Sequence, residues 1–306
     1  MTRVVFVLLP GVHLLDLAGP AQVFHGAYQL TYVAEREHLT SAQGLPVVAQ
    51  TRWPELERDD LILVPGWRAA TLRAGPRPRE EELARLRAHH AAGGTVASVC
   101  AGAEALGLAG LLDGRRCTTH HDLQDELAAR YPRATVVRDV LYTVDDRVVT
   151  SAGIASGIDL ALHLFSARHG PAAAARVARD MVVYARRNGG EPQASAMLRH
   201  RAHLDDTVHR VQDLIDGHFT EPLPLSRLAA HAGVSERTLT RAFTRATGGL
   251  TPLRYQQTLR LERAEHLIGH GAMMESAARE VGFEDARMLR RLRARVTVRP
   301  AGRPSP

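Results

Sequence analysis

The sequence predicts an α/β domain with a parallel sheet and flanking helices, followed by an all-α domain with two helix-turn-helix units. Short β-prone runs alternate with helix-like runs as far as His169, which is the order that a parallel sheet requires. After His169 two helix–glycine–helix segments follow and no further strand is expected. We therefore assign residues 1–188 to the first domain, 189–206 to a linker and 207–306 to the second domain.

The elements of the first domain follow from runs of β-branched and aromatic residues. The strand-like runs are RVVFVLLP, LTYVAE, DLILVPG, TVASV, RRCTT and RVVTSAG. A hairpin is predicted where Asp145-Asp146 joins two β-prone segments. The segment at 170–187 is expected to close the domain as a helix. The earlier helix-like runs are Arg79–His90, Ala101–Leu112, Leu123–Tyr131 and Ala155–His169.

The charge of the chain is concentrated in its last third. All basic residues are arginine, and residues 207–306 hold 16 arginines against 10 acidic residues, so the whole formal excess of +6 lies there. Phosphate contacts supply most non-specific affinity for nucleic acid, so this asymmetry favours a second domain that binds a polyanion. A basic helical domain that is merely soluble would have the same composition.

Composition also limits the compartment and the thiol chemistry. A hydrophobic fraction of 45% in 306 residues allows a core in each domain. No apolar run reaches the roughly 20 residues of a membrane span, and no signal-peptide cleavage region follows the first strand, so we expect a cytoplasmic protein without membrane contact. Cys100 and Cys117 are too few for a disulfide framework and have no zinc-ligand spacing, so both are expected to be free thiols, with Cys117 in the core.

The stretch TVASVCAGAEALGLAGLL, residues 95–112, places Cys100 at a strand-to-helix turn. Four β-prone residues lead into the cysteine, and a small-residue helical pattern begins at once. Such a turn exposes one side chain at a helix N-terminus, which lowers a thiol pKa. The segment therefore predicts a reactive thiol or a position derived from one; a buried core cysteine is the alternative.

The second domain shows two similar helical units. In PLSRLAAHAGVSERTLTRAF, a helix is followed by a turn at Gly233 and by a second helix that Ser235 caps. In SAAREVGFEDARMLRRL, the same pattern surrounds Gly282, and a helix from Pro252 to about Leu267 separates the two units. The residues expected to face the core are Leu225, Leu228, Ala229, Leu239 and Phe243 in the first unit and Ala277, Ala278, Val281 and Leu289 in the second.

The motifs of both domains resemble known families. The last ~100 residues resemble the DNA-binding domain of AraC/XylS regulators, notably in VSERTLTRAFTRATGGLTPLRYQQTLRLERAEHLI and AAREVGFEDARMLRR. The first ~170 resemble the ThiJ/PfpI, class-I glutamine amidotransferase-like fold, through LLDLAGPAQVF, LILVPGW, SVCAGAEALGLAGLLDGRRCTTHHD and TSAGIASGIDLALHLF. Together they resemble GlxA-type AraC regulators, which implies a flavodoxin-like sensor domain before an AraC-type DNA-binding domain.

The resemblance to the ThiJ/PfpI fold also implies a pocket. Its cysteine, carboxylate and histidine match Cys100, Asp16 and His120, and backbone N–H donors are implied near Gly66 and Trp67 and at Ala101. These groups would suit attack on a carbonyl or amide, or binding of a carboxylate or amine without chemistry. A protonated Asp16 could donate a hydrogen bond to the thiolate, whereas an ionised Asp16 would raise the thiol pKa, and the sequence leaves both open. Asp16 as a helix cap and His120 as a surface histidine are the alternatives, and related proteins usually carry tryptophan where this chain has His121.

In the first helix-turn-helix unit, positions on one face of the second helix are candidate base readers. Arg237, Thr240 and Arg241 share that face and match the groove-facing positions of the family. Arg245 and Arg254 are candidate phosphate contacts. A merely solvated arginine face is the alternative.

In the second unit the corresponding positions are Ala286, Arg287, Arg290 and Arg291. The related family usually has one more residue before an aromatic at this place, whereas this chain has Leu292 directly. Loss of one residue turns the rest of a helix by about 100°. Because these four positions precede the missing residue, we expect them to stay on the side of the helix that faces the DNA groove. The sequence does not decide how the helix packs behind that face.

These observations predict a transcription regulator that binds double-stranded DNA and senses a small molecule, of which a nitrogen-containing metabolite is one candidate. Homodimerisation and contact with RNA polymerase are further expectations. Neither a cofactor nor a metal is expected, because the pairs His89-His90 and His200 with His203 lack a third ligand and are interpreted as solvated helix faces. The alternatives are a cysteine-dependent amidase or glycation-repair enzyme with a helical tail, and a protein-interaction module that has lost DNA binding.

Overall fold

The computed structural model describes residues 2–68, 70–183, 187–193, 200–201, 203–269 and 271–297. The chain divides into two compact units, Met1–Gln193 and Ala194–Pro306, and each is described by itself.

The first unit is built on ten strands and six helices within the described residues. The strands are β1 (Arg3–Leu8), β2 (Gln29–Ala34), β3 (His38–Thr40), β4 (Pro46–Val48), β5 (Leu61–Val64), β6 (Thr95–Val99), β7 (Arg116–Cys117), β8 (Thr135–Val136), β9 (Tyr142–Asp145) and β10 (Val148–Ser151). The helices are α1 (Leu14–Phe24), α2 (Glu80–Ala91), α3 (Ala103–Leu108), α4 (Gln124–Arg130), α5 (Ser156–His169) and α6 (Pro171–Asp180).

The main sheet has six strands in the order β2-β1-β5-β6-β10-β9. All neighbours are parallel except β9, which runs antiparallel to β10. The central strands are buried along almost their whole length, as a sheet with helices on both faces requires. The predicted flavodoxin-like α/β class is therefore confirmed.

Local predictions for this unit were right in most places and wrong in a few. The hairpin was correctly predicted, with β9 and β10 joined through Asp146. The run RRCTT forms β7, but β7 pairs with β8 in a separate two-stranded sheet. The hairpin of β3 and β4 was not predicted. The closing helix is α6 and ends at Asp180, while 184–186 of its predicted range lie outside the described residues.

The second unit is all-helical within its described residues, as predicted. Its helices are α7 (Asp206–His218), α8 (Leu225–Ala232), α9 (Glu236–Ala246), α10 (Pro252–Gly269), α11 (Met274–Glu280) and α12 (Ala286–Thr297). One core surrounds Leu239, Phe243 and Tyr255, and a second surrounds Val281 and Leu289. The helix α10 contributes to both cores, so it joins the two helix-turn-helix units.

Residues 194–199 and 202 of the predicted linker lie outside the described residues. At its end, Arg201 forms ion pairs with Asp213 at 2.7 Å and with Asp216 at 2.5 Å, both on α7. The hydroxyl of Tyr255 donates to the same Asp216 at 2.8 Å. The end of this segment is thereby fixed to the helical unit. Among the helices described, none combines the length and apolarity that crossing a lipid bilayer demands.

Candidate functional site

The residues of the predicted pocket lie where four parallel strands end. The strands β1, β5, β6 and β10 are neighbours in the sheet and share one direction, so their carboxyl ends meet at the same edge. Ligands of open α/β sheets bind in the crevice beyond these ends. The segments that follow the four strands carry Asp16, Gly66, Cys100 and Gly153, which the fold thus brings together.

Cys100 occupies a strained turn between β6 and α3. Its φ is +55°, in the left-handed region that non-glycine residues rarely adopt. Glycines make room for this turn: a Cβ at Gly102 would overlap the carbonyl oxygen of Val64, and one at Gly153 would overlap the Cβ of Cys100. The predicted elbow is therefore present in the structure.

Asp16 is fully buried beside this elbow. Its Oδ1 accepts a 2.6 Å hydrogen bond from the backbone N–H of Ile154, and its Oδ2 has no hydrogen-bond partner in the described structure. Burial raises the pKa of the carboxyl, and the N–H of Ile154, the charge of His13 and the neighbouring N–H of Gly66 partly offset that rise. Asp16 is therefore not a cap of α1, whose N-cap residue is His13; its carboxyl group instead binds the segment that follows β10.

The environment of Cys100 raises the pKa of its thiol. Burial is the main cause, and the nearby Asp16 carboxylate acts in the same direction. The N–H of Ala101 lowers the pKa, but it does not offset the other two effects. The helix N-terminus therefore does not decide this pKa. The thiol is only 6% exposed, and repulsion from the neighbouring acid, one of the two outcomes that the sequence left open, acts with burial to raise the pKa.

The backbone donors are arranged differently from the prediction of an oxyanion hole. The N–H of Gly66 faces the Asp16 carboxylate, and that of Ala101 faces the Cys100 thiol. The indole of Trp67 is buried, and its Nε1 lacks a hydrogen-bond partner among the described residues. Two of the three predicted donors, at Gly66 and Ala101, thus lie close to the protein's own acid and thiol.

His120 lies beside the elbow, on the segment after β7. The hydroxyl of the preceding Thr119 donates to the carbonyl oxygen of Cys100 at 2.8 Å, which ties the two segments together. His120 is partly buried and caps the 3-10 turn His121–Leu123. Burial and the neighbouring His121 lower its pKa, so the imidazole is biased toward the neutral form.

The other histidine pairs are not solvated helix faces, contrary to the prediction. His89 and His90 are buried on α2, and His89 Nε2 lies 2.9 Å from the carbonyl oxygen of Asp60. His203 Nε2 lies 3.2 Å from Gln212 Oε1. These histidines serve packing and hydrogen bonding, whereas Cys117 is in the core, as predicted.

The first helix-turn-helix unit has the predicted geometry. Gly233 ends α8 with φ +68°, and the hydroxyl of Ser235 caps α9 by accepting a 3.2 Å hydrogen bond from the N–H of Thr238. Leu239 and Phe243 are fully buried, which fixes the opposite face of α9 toward solvent. That outer face and the start of α8 line a groove. Its lining residues are Leu225, Glu236, Arg237, Thr240, Arg241, Thr244 and Arg245.

The arginines of this unit are available for ligands. Arg237, Arg241, Arg245 and Arg254 are exposed, and in the described part of the chain none of their guanidinium groups has an ion-pair partner. Because unpaired guanidinium groups lose no internal contact when they bind phosphate or base edges, this face suits an anionic duplex.

The second unit departs from the prediction. Ala286 is only 7% exposed and packs in the second core, so it cannot face a groove. Arg287 and Arg291 are exposed, but Arg290 forms a 2.6 Å ion pair with Glu275 of α11. Helix α12 continues through Leu292, which packs against the same core. The shortened sequence thus retains a packed helix.

Sequence reasoning missed two neighbours of the elbow. Ile154 has φ +50° and supplies the N–H that holds Asp16, and Gly153 has φ +102°. The one available signal was the glycine after β10, since a glycine at a strand end often marks a positive φ or a close backbone approach.

Comparisons with known proteins agree with both units. Residues 2–167 match the DJ-1/PfpI family, and residues 228–302 match a helix-turn-helix domain. The HTH-type transcriptional regulator GbdR of Pseudomonas aeruginosa is 27% identical over 88% of this chain and 74% of its own length. The isonitrile hydratase of Pseudomonas putida is 37% identical over 52% of this chain and 68% of its own length.

A solved structure supports the fold of the first unit. The crystal structure of an AraC family transcriptional regulator from Pseudomonas putida superposes on this chain with a TM-score of 0.51 at 24% identity. The superposition covers 59% of this chain and 100% of the regulator's chain.

Proposed function

We propose that this chain, which belongs to the DJ-1/PfpI family and is a helix-turn-helix transcription regulator, binds a small molecule at the Cys100 elbow and DNA through α9. The observation that carries the DNA half is the exposed face of α9, with its unpaired arginines opposite a buried core face. GbdR, which is similar over most of the chain, is itself an HTH-type transcriptional regulator.

Base reading by α9 is tested with duplexes from the region upstream of the gene and with random duplexes. Arg241→Ala should cost roughly 1–3 kcal/mol on the specific site and relax sequence choice. Arg254→Ala should weaken binding to all sequences alike, because a phosphate contact carries no sequence information. Fluorescence anisotropy at fixed salt measures both. Equal losses on specific and random DNA for Arg241→Ala would contradict base reading.

The elbow favours binding over catalysis. A thiol that is buried beside an acid and has a raised pKa is mostly protonated at neutral pH, whereas a nucleophilic cysteine acts as the thiolate. A regulator also needs its effector to persist rather than turn over. A small molecule that thermally stabilises the full chain should therefore change its DNA affinity, and Cys100→Ser should weaken that change while preserving DNA binding without effector.

A second candidate function is hydration of an isonitrile, which the similarity to isonitrile hydratase favours. Ligand binding and catalysis at the elbow are distinguished by incubating the purified protein and a Cys100→Ala control with an isonitrile. We expect no turnover above the control. Robust turnover that requires Cys100 would support the enzyme.

The proposal includes a homodimer and contact with RNA polymerase, both taken from the family resemblance. Size-exclusion chromatography with light scattering measures the mass of the protein and so tests the dimer directly. A monomer at micromolar concentration would contradict the dimer.

A further inference from the structure

We infer that His120, His121 and Asp122 form a binding site for a divalent transition-metal ion such as Zn²⁺, on the turn beside the elbow. The proposed function needs no metal, so this site goes beyond it. The ligand atoms of the three side chains, two imidazole nitrogens and one carboxylate oxygen, all lie within 4.8 Å of one another.

One carboxylate contacts both imidazoles. Asp122 Oδ1 lies 3.0 Å from His121 Nδ1, and Asp122 Oδ2 lies 3.5 Å from His120 Nδ1. The two rings lie 4.1 Å apart, centre to centre. A cation among these atoms would replace the hydrogen bond between His121 and Asp122 and the contact between His120 and Asp122.

The donor set selects the class of ion. Two imidazoles and one carboxylate suit Zn²⁺ and similar borderline ions, whereas Mg²⁺ and Ca²⁺ prefer sites made of oxygen alone. Metal–ligand distances near 2.0–2.1 Å place tetrahedral ligand atoms about 3.3 Å apart, somewhat closer than the 4.8 Å limit found here. Three protein ligands would leave one position open, as in zinc sites that also bind a small molecule.

The backbone beneath the site is fixed by contacts to its neighbours. The Thr119 hydroxyl donates to the Cys100 carbonyl oxygen at 2.8 Å. The side-chain amides of Gln124 and Gln193 donate to the Thr119 carbonyl oxygen at 3.2 and 3.0 Å. The histidines and the aspartate thus project from a turn that is held against the elbow, while their side chains stay partly exposed to solvent.

The test is titration of the full chain with Zn²⁺ against a chromophoric zinc chelator. We expect one ion per chain that excess Mg²⁺ does not displace. His121→Ala and Asp122→Asn should each weaken binding by more than about tenfold, the loss that even outer-shell changes can produce at zinc sites. His38→Ala, at an exposed histidine on β3, is the matched control and should bind as the wild type does.

Two further measurements exclude binding at the elbow thiol. Cys100→Ser should retain zinc affinity, and the Co²⁺ complex should lack a thiolate charge-transfer band. The inference is overturned if the wild type binds no zinc, if both ligand variants bind it undiminished, or if Cys100→Ser loses it. Since His121 and Asp122 are exposed, thermal melts of their variants without metal should match the wild type, so a loss of zinc reports the site and not unfolding.

Discussion

Two strained residues from adjacent strand ends surround the buried Asp16. Cys100 follows β6 with φ +55°, and Ile154 follows β10 with φ +50°. Each such conformation costs on the order of 1–3 kcal/mol and persists where surrounding structure determines it. Here the carboxylate is the common partner, because it accepts from the Ile154 N–H and faces the Cys100 thiol. The strain thus coincides with the proposed ligand pocket.

The close approach of Gly153 to the elbow predicts a steric effect. Gly153→Ala places a methyl group against Cys100 at φ +102°, and it should lower the free energy of unfolding by about 2–4 kcal/mol. Gly190→Ala, where no atom lies within 4 Å, should change it by less than about 0.5 kcal/mol. Urea denaturation measures both, and equal stabilities would contradict the packing described for the elbow.

The electrostatics of the pair predict how fast Cys100 alkylates. Because burial and Asp16 raise the thiol pKa, reaction with iodoacetamide should be slow at pH 8 and should accelerate with rising pH. Asp16→Asn keeps the acceptor for Ile154 and removes the charge, so the pKa falls and the reaction at a given pH should be several-fold faster.

Asp125→Asn, at an exposed carboxylate, is the control for this alkylation experiment. Mass spectrometry of the Cys100 peptide separates it from Cys117. An Asp16→Asn rate equal to or below that of the wild type would contradict the assigned role of the acid.

The sequence revealed the elbow but not its chemistry. The abrupt change from strand to helix at Cys100 is local and could be read directly, whereas Asp16 and His120 entered through the family resemblance. The thiol pKa could not be predicted, because it depends on burial among segments from four strands that the sequence does not place in space. Ile154 was invisible for the same reason, since a β-branched residue gives no signal for a positive φ.

The two helix-turn-helix units differ at the level of their second helices. On α9 the arginines predicted to face the DNA groove have no ion-pair partner within the described residues, while on α12 Arg290 is paired with Glu275. Helical spacing predicted both units, but it placed Ala286 on the groove face. Ala286 is the first residue of α12 and instead packs in the second core. The ion pair joins different helices, so no pattern along the chain could have revealed it.

The ion pair on the second unit predicts a gain in DNA affinity. Glu275→Gln should free Arg290 to contact a DNA phosphate. The slope of log affinity against log salt should then become steeper, by up to about the amount that one phosphate contact contributes. Glu284→Gln removes the same charge at an exposed position on the same unit and should leave the slope unchanged. Anisotropy titrations over a salt series measure the slopes. Identical slopes for the two variants would contradict the prediction that the ion pair with Glu275 keeps Arg290 from contacting a phosphate.

At the scale of the whole molecule, two units carry two different kinds of chemistry. The buried acid and thiol lie in Met1–Gln193, whereas the formal excess charge of +6 lies in 207–306. Each unit has its own hydrophobic core among the described residues. This separation is what a regulator with a ligand-binding domain and a DNA-binding domain requires.

The separation of DNA binding from the pocket is tested most directly by measuring DNA binding of the two halves. A fragment that begins at residue 200 retains Arg201 and its ion pairs with α7, and circular dichroism checks its helical fold. It should bind duplex DNA with an affinity that falls steeply as salt rises, and residues 1–193 should not bind. Salt-dependent DNA binding by 1–193, or none by the folded C-terminal fragment, would contradict the account.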